Sequence, residues 1–229
     1  MKNSLQLKRI LWVGLFAIAM AYLESAVVVY LRRVYGITDL MRSVPPFDPQ
    51  IGAIEFGREL ATLVMLLSVG IVAGHNIKSR LGVAIFAFGL WDIFYYIWLR
   101  VFIGWPSSLL DPDLLFLIPL PWWGPVLSPV LIALLMVFVG ALLSLSEEIG
   151  ITFCFTRINV AILIVGMLIV LYAFMADALA LLPADAQALS QVKLSRFNWP
   201  VYIIGYVIGL FGILRSLRRP ATVSYIGFN

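Results

Sequence analysis

The sequence predicts an all-α fold: a polytopic membrane protein of about six transmembrane helices, forming one domain over residues 1–229. Three observations predict it. Hydrophobic residues make up 62% of the chain and charged ones only 12%, about half the charge fraction usual in soluble domains. Six apolar runs approach the roughly 20 residues needed to cross about 30 Å of hydrocarbon. Basic residues gather at the ends of those runs, as in Lys8-Arg9, Lys78 with Arg80, and Arg215 with Arg218-Arg219, where cations meet lipid headgroups.

The runs cover Ile10–Leu31, Ile54–Gly74, Leu81–Val101, Val126–Leu145, Val160–Leu179 and Val201–Leu214. The first follows Lys2, Lys8 and Arg9 as a signal peptide would, but it is too long for a signal core and is expected to stay as a helix. With the N-terminus in the cytoplasm, nine Lys and Arg fall on that side and seven on the other. That asymmetry and the even number of spans place both termini on the cytoplasmic side of the cell's inner membrane. The outer connections, Arg32–Ala53, Gly104–Pro125 and Leu182–Trp199, are longer than the inner ones, so function is expected on the outer face. No internal repeat supports an inverted-repeat transporter.

The Pro/Trp-rich outer loop between helices 3 and 4, Gly104–Pro125, is apolar enough to enter the membrane boundary, yet Pro119, Pro121 and Pro125 forbid a continuous helix. Two readings are open: an interfacial lid anchored by Trp122 and Trp123 in the headgroup belt, or a re-entrant segment that lines a site.

Several chemistries are excluded by composition. One cysteine, Cys154, allows no intramolecular disulfide or thiolate metal cluster, and one histidine, His75, allows no bis-histidine haem. No cofactor and no metal site is expected. No Gly-x-Ser-x-Gly, His-Glu-x-x-His or phosphate-binding glycine loop occurs, so an enzyme is not favoured. The basic clusters read as membrane anchors, with no nucleic-acid partner. His75 and the Glu147-Glu148 pair read as solvated groups at helix ends.

An ionisable group inside a span costs about 2.5–3.5 kcal/mol on insertion scales, so each needs a reason. Glu24 lies two-thirds along helix 1, Glu55 and Glu59 one turn apart at the outer end of helix 2, and Asp92 near the middle of helix 3. All four fall between the midplane and the outer surface. Arg58 stands three residues after Glu55, side by side with it on a helix. Tyr95 and Tyr96 follow Asp92 at i+3 and i+4, a spacing from which a phenol can reach the carboxylate, and Arg100 ends helix 3 two turns above it. Asp92 is expected to face the interior with a hydrogen-bond partner. The candidate site is therefore a polar pocket of Glu24, Glu55, Arg58, Glu59, Asp92, Tyr95, Tyr96 and Arg100, and the alternative is a structural ion-pair network. Small residues at Ala17, Ala21 and Ser25, and at Gly205, Gly209 and Gly212, mark close helix packing.

The segments Ala21–Arg32, Gly57–Thr62, Trp91–Tyr96 and Asp113–Pro125 together resemble a family of uncharacterised prokaryotic multi-pass membrane proteins, over roughly the first 130 residues. The resemblance implies a six-span membrane fold and no particular activity. Glu55-x-x-Arg58-Glu59 faintly resembles the acidic motif of membrane CAAX-type proteases, whose intramembrane histidines have no counterpart here. Six spans with an outward pocket are also similar, as a fold, to the substrate-binding subunits of vitamin transporters. The leading expectation is a membrane protein whose pocket binds or conducts a small polar solute or proton. The alternatives are an accessory subunit docked on partner membrane subunits of a respiratory or photosynthetic complex, and a lipid-modifying enzyme. The lipid bilayer is the partner common to all three.

Overall fold

The computed structural model describes residues 2–34, 36, 49–116, 120–182 and 196–218. Six helices carry the described residues: α1 (Lys2–Val34), α2 (Pro49–Ala73), α3 (Ile77–Ile103), α4 (Leu127–Ser144), α5 (Arg157–Ala180) and α6 (Trp199–Ser216). All six are long and apolar enough to cross a membrane. Most begin earlier or end later than the apolar runs, because backbone pairing continues into the polar boundary until a cap stops it. Asn76 caps α3 by accepting from Ser79 N at 2.8 Å, and Gly104 ends that helix in the left-handed region at φ 71°. Thr156 and Asn198 cap α5 and α6 in the same way as Asn76.

α3 is the hub. It packs against α1, α2 and α4, while α5 and α6 form a second hairpin. In lipid no hydrophobic force holds helices together, so close backbone approach has to supply dispersion instead. The glycines show where. A Cβ on Gly140 would lie 2.4 Å from Phe86 N, and one on Gly82 2.5 Å from Ser144 N, so α3 and α4 touch backbone to backbone. Gly166 brings α5 equally near α6, where its Cβ would fall 2.5 Å from Gly209 N. On α1, Ala17, Ala21 and Ser25 are fully buried, and Ser25 Oγ donates to Tyr95 O of α3 at 3.0 Å. The small-residue seams read from the sequence are thus contact surfaces.

The loop between α3 and α4 is neither a plain tether nor a helix. Its described part folds into an antiparallel hairpin, β1 (Pro112–Phe116) and β2 (Trp122–Pro125), with Asp113 opposite Gly124. Strand pairing satisfies backbone groups that the prolines bar from a helix. Asp111 organises the approach by accepting from Ser107 N at 2.7 Å and Ser107 Oγ at 2.8 Å. The Trp122 ring stacks on Phe174 of α5 with centroids 6.2 Å apart, and Phe174 meets Tyr202 of α6. The loop therefore joins the two halves of the molecule, with Trp122 in this aromatic cluster. Residues 37–48, 117–119 and 183–195, which include Arg42, Pro119 and Lys193, lie outside the described residues.

The opposite end is tied by polar groups. Arg9 donates to Ser144 Oγ and approaches His75 Nδ1, both at 3.0 Å, and Glu147 accepts from Asn76 at 2.6 Å. His75 and Glu147, expected to be solvated at helix ends, are 37% and 65% exposed and also meet one another at 3.3 Å. Two short strands, β3 (Thr152–Phe153) and β4 (Leu217–Arg218), close this end between α5 and α6.

Candidate functional site: a carboxylate cluster of α1, α2 and α3

Helix geometry sets the first half of the site. Glu55 and Arg58, one turn apart on α2, pair through Arg58 Nε and Nη2, each 2.8 Å from Glu55 Oε2. The remaining guanidinium nitrogen reaches across to Glu24 of α1, so one arginine clamps carboxylates from two helices. Thr62, a turn further along α2, donates to Glu24 Oε2 at 3.4 Å. Glu59 lies beside this clamp, only 6% exposed and within charge-interaction range of Arg58.

The second half centres on a residue that the sequence reading passed over. Asp113 of β1 is 2% exposed, takes a hydrogen bond from Tyr96 Oη at 3.2 Å, and lies 3.7 Å from Arg32 of α1. Arg32 in turn covers the Trp105 ring at 4.1 Å, a cation–π contact. The signal was present in the sequence: a carboxylate in an otherwise apolar stretch rich in Pro and Trp has no reason to be there unless it is buried and paired. Tyr95 joins the halves, since its phenol is within charge-interaction range of Asp113, Arg32, Arg58 and Asp92.

Asp92 departs from expectation. It is half-buried, and no hydrogen-bond donor lies on its carboxylate among the described residues. Tyr96, expected to serve it, is turned to Asp113 instead, and the charge nearest Asp92 in effect is that same Asp113. Arg100 also departs: it is exposed and donates to Gly104 O and to Pro106 O at 2.8 Å, finishing the end of α3. Asp177 sits on α5, which packs against α6 and β2. The cluster thus assembles Glu24, Glu55, Arg58, Glu59, Asp92, Tyr95 and Tyr96 with Asp113 and Arg32, and leaves Arg100 outside.

Burial holds the Asp113 carboxyl above the ordinary range, at about 6, against the opposing pull of Arg32, Tyr96 Oη and the Leu114 backbone N–H. A folded-state value above the unfolded one near 3.9 means that the fold binds the proton more tightly. Asp113 therefore contributes stability that is complete below that unfolded value and lost as pH rises through about 6. Thermal unfolding in detergent across this window should show the decline, and Asp113→Asn should flatten it. An unchanged pH profile in the variant would remove Asp113 from this role.

Six apolar spans, three of which carry the carboxylate-rich cluster, define an integral membrane protein. No family model matches the chain, and no curated protein or solved structure is significantly similar to it.

Proposed function

We propose that this protein binds, and passes inward, a proton or a small cationic solute at the carboxylate cluster, entering from the side where α1 ends and α2 begins. In this reading both termini are cytoplasmic and the cluster opens outward, as the basic-residue asymmetry supports. The carrying observation is the state of Asp92: a carboxylate within a span, without a donor among the described residues, beside a second acid. Hydrocarbon offers it no compensation, so a positive charge from outside the fold is the missing partner.

The balance of charge agrees. Glu24, Glu55 and Glu59 stand at Arg58, and Asp113 pairs with Arg32 while acting on Asp92, an acid excess that favours cations over anions. Among the described residues no three ligating side chains converge closely enough to hold a metal ion. A proton, or a solute whose positive charge is spread over an ammonium or amidinium group, suits such a dispersed arrangement better than a metal.

The test is flux. Purified protein in vesicles carrying an internal pH dye and an imposed membrane potential should acidify the lumen, or do so when a small organic cation is added. Asp92→Asn should abolish the signal while melting close to the wild-type temperature. Flux that persists in Asp92→Asn, or its absence from the wild type under both conditions, would overturn the proposal.

A further inference from the structure

The two arginines of the carboxylate cluster are held in different ways. Arg58 is bonded to Glu55 through two of its nitrogens at 2.8 Å, the distance of a charge-assisted hydrogen bond. Arg32 stands 3.7 Å from Asp113 Oδ1, beyond hydrogen-bond reach of that oxygen. Its closer contact is with a ring face: the guanidinium carbon lies 4.1 Å from the centroid of Trp105. Asp113 is fixed without it, since Tyr96 Oη donates to Oδ2 at 3.2 Å and the Leu114 backbone N–H also bonds the carboxylate. Trp105 in turn packs on Tyr96 with ring centroids 6.2 Å apart. The acid and the ring therefore have supports of their own, and Arg32 rests against both.

A buried carboxylate beside an aromatic face is complementary to a flat cation, which turns an edge to the oxygens and a face to the ring. The group found there is such a cation, a guanidinium. Arg32 belongs to the last turn of α1, and Trp105 is half-buried next to the exposed Gly104. This edge of the cluster is thus at the surface, where a solute can arrive and a displaced arginine can turn to water. A tethered side chain competes with a free solute at an effective concentration on the order of millimolar. Affinity for the solute is then reduced by the fraction of time the place stands open.

We infer that Asp113, Trp105 and Tyr96 form a subsite for a guanidinium or amidinium solute, in which Arg32 is an internal stand-in that the solute displaces. This rests on the reading that the cluster takes up an external cation, and it narrows that cation to a planar one. Calorimetric binding of methylguanidinium against methylammonium, on the full chain in mild detergent, tests it without requiring flux. The wild type should bind methylguanidinium saturably and at least tenfold more tightly than methylammonium. Arg32→Gln should bind it at least tenfold more tightly again, because the tethered competitor is gone. Trp105→Leu should bring the two probes to near parity, and Asp113→Asn should bind neither. Where Arg32→Gln does not survive extraction, methylguanidinium in the buffer should restore monodisperse protein and methylammonium should not; restoration by neither would count against the subsite. Parity of the two probes on the wild type would overturn the inference, as would affinity unchanged in Arg32→Gln or retained in Asp113→Asn. Proton flux in vesicles with no binding of either probe would overturn it too, while leaving the proton reading in place. Binding with the expected preference but no flux would support the subsite and overturn passage inward.

Discussion

Replacing Arg58 with glutamine should destabilise the protein more than any other single loss of charge. Arg58 holds Glu24 of α1 and Glu55 of α2 together, and its side chain is only 23% exposed, Glu24's 12%. Removing one member of a buried pair costs about 3–5 kcal/mol, because the charges left behind have lost both their partner and their water. Here two carboxylates are stranded by one change, with Glu59 adding a third negative charge nearby. The expected result is a large fall in melting temperature in detergent, or failure to recover monodisperse protein. The double variant Arg58→Gln/Glu24→Gln should regain part of the loss, since neutralising a stranded acid removes its penalty. If the single and double variants melt alike, Glu24 and Arg58 are not energetically coupled, and the clamp is a contact without consequence.

Gly140→Leu should rival it through packing alone. A Cβ at Gly140 would fall 2.4 Å from Phe86 N and 2.7 Å from Gly82 O, and backbone atoms cannot swing aside as side-chain ends do. The α3–α4 seam would have to open along its length, and it carries the hub helix. The cost should exceed the usual overpacking range of about 1–3 kcal/mol. Gly209→Ala is the matched control: a Cβ there meets nothing within 4 Å, although its own backbone receives Gly166. That variant should melt at or above the wild-type temperature, since alanine favours a helix over glycine. A Gly140→Leu protein as stable as Gly209→Ala would contradict the seam.

The contrast between these two glycines shows what the sequence could and could not reveal. Spacing identified Gly205, Gly209 and Gly212 as seam residues, but not which of them meets a neighbour through its missing side chain, because that depends on helix rotation. The spans were legible for the opposite reason. Hydrocarbon thickness imposes a length on every run whatever it packs against. The hairpin was not legible, since Asp113–Phe116 and Trp122–Pro125 find their backbone partners in each other and leave no periodic trace.

The site divides along the same line. Glu55 and Arg58 were readable as a pair because their spacing lies within one helix. Glu24 meeting Arg58 required the relative rotation of α1 and α2, which the buried Ala17, Ala21 and Ser25 against α3 determine. The i+4 rule failed for Asp92 and Tyr96 because proximity on a helix only permits a bond. Asp113, buried on the neighbouring hairpin, took the phenol instead.

The central claim is that the carboxylate cluster takes positive charge from water on the side opposite the N-terminus. Its most direct test is chemical access to position 92. In a Cys154→Ser background, Asp92→Cys should react with a small, positively charged, membrane-impermeant thiol reagent applied from the outer side of intact cells. It should react more slowly with an anionic reagent of the same size, because the Asp113 carboxyl acts on position 92. Reaction only from the cytoplasmic side, or only with a neutral membrane-permeant reagent, would contradict the account.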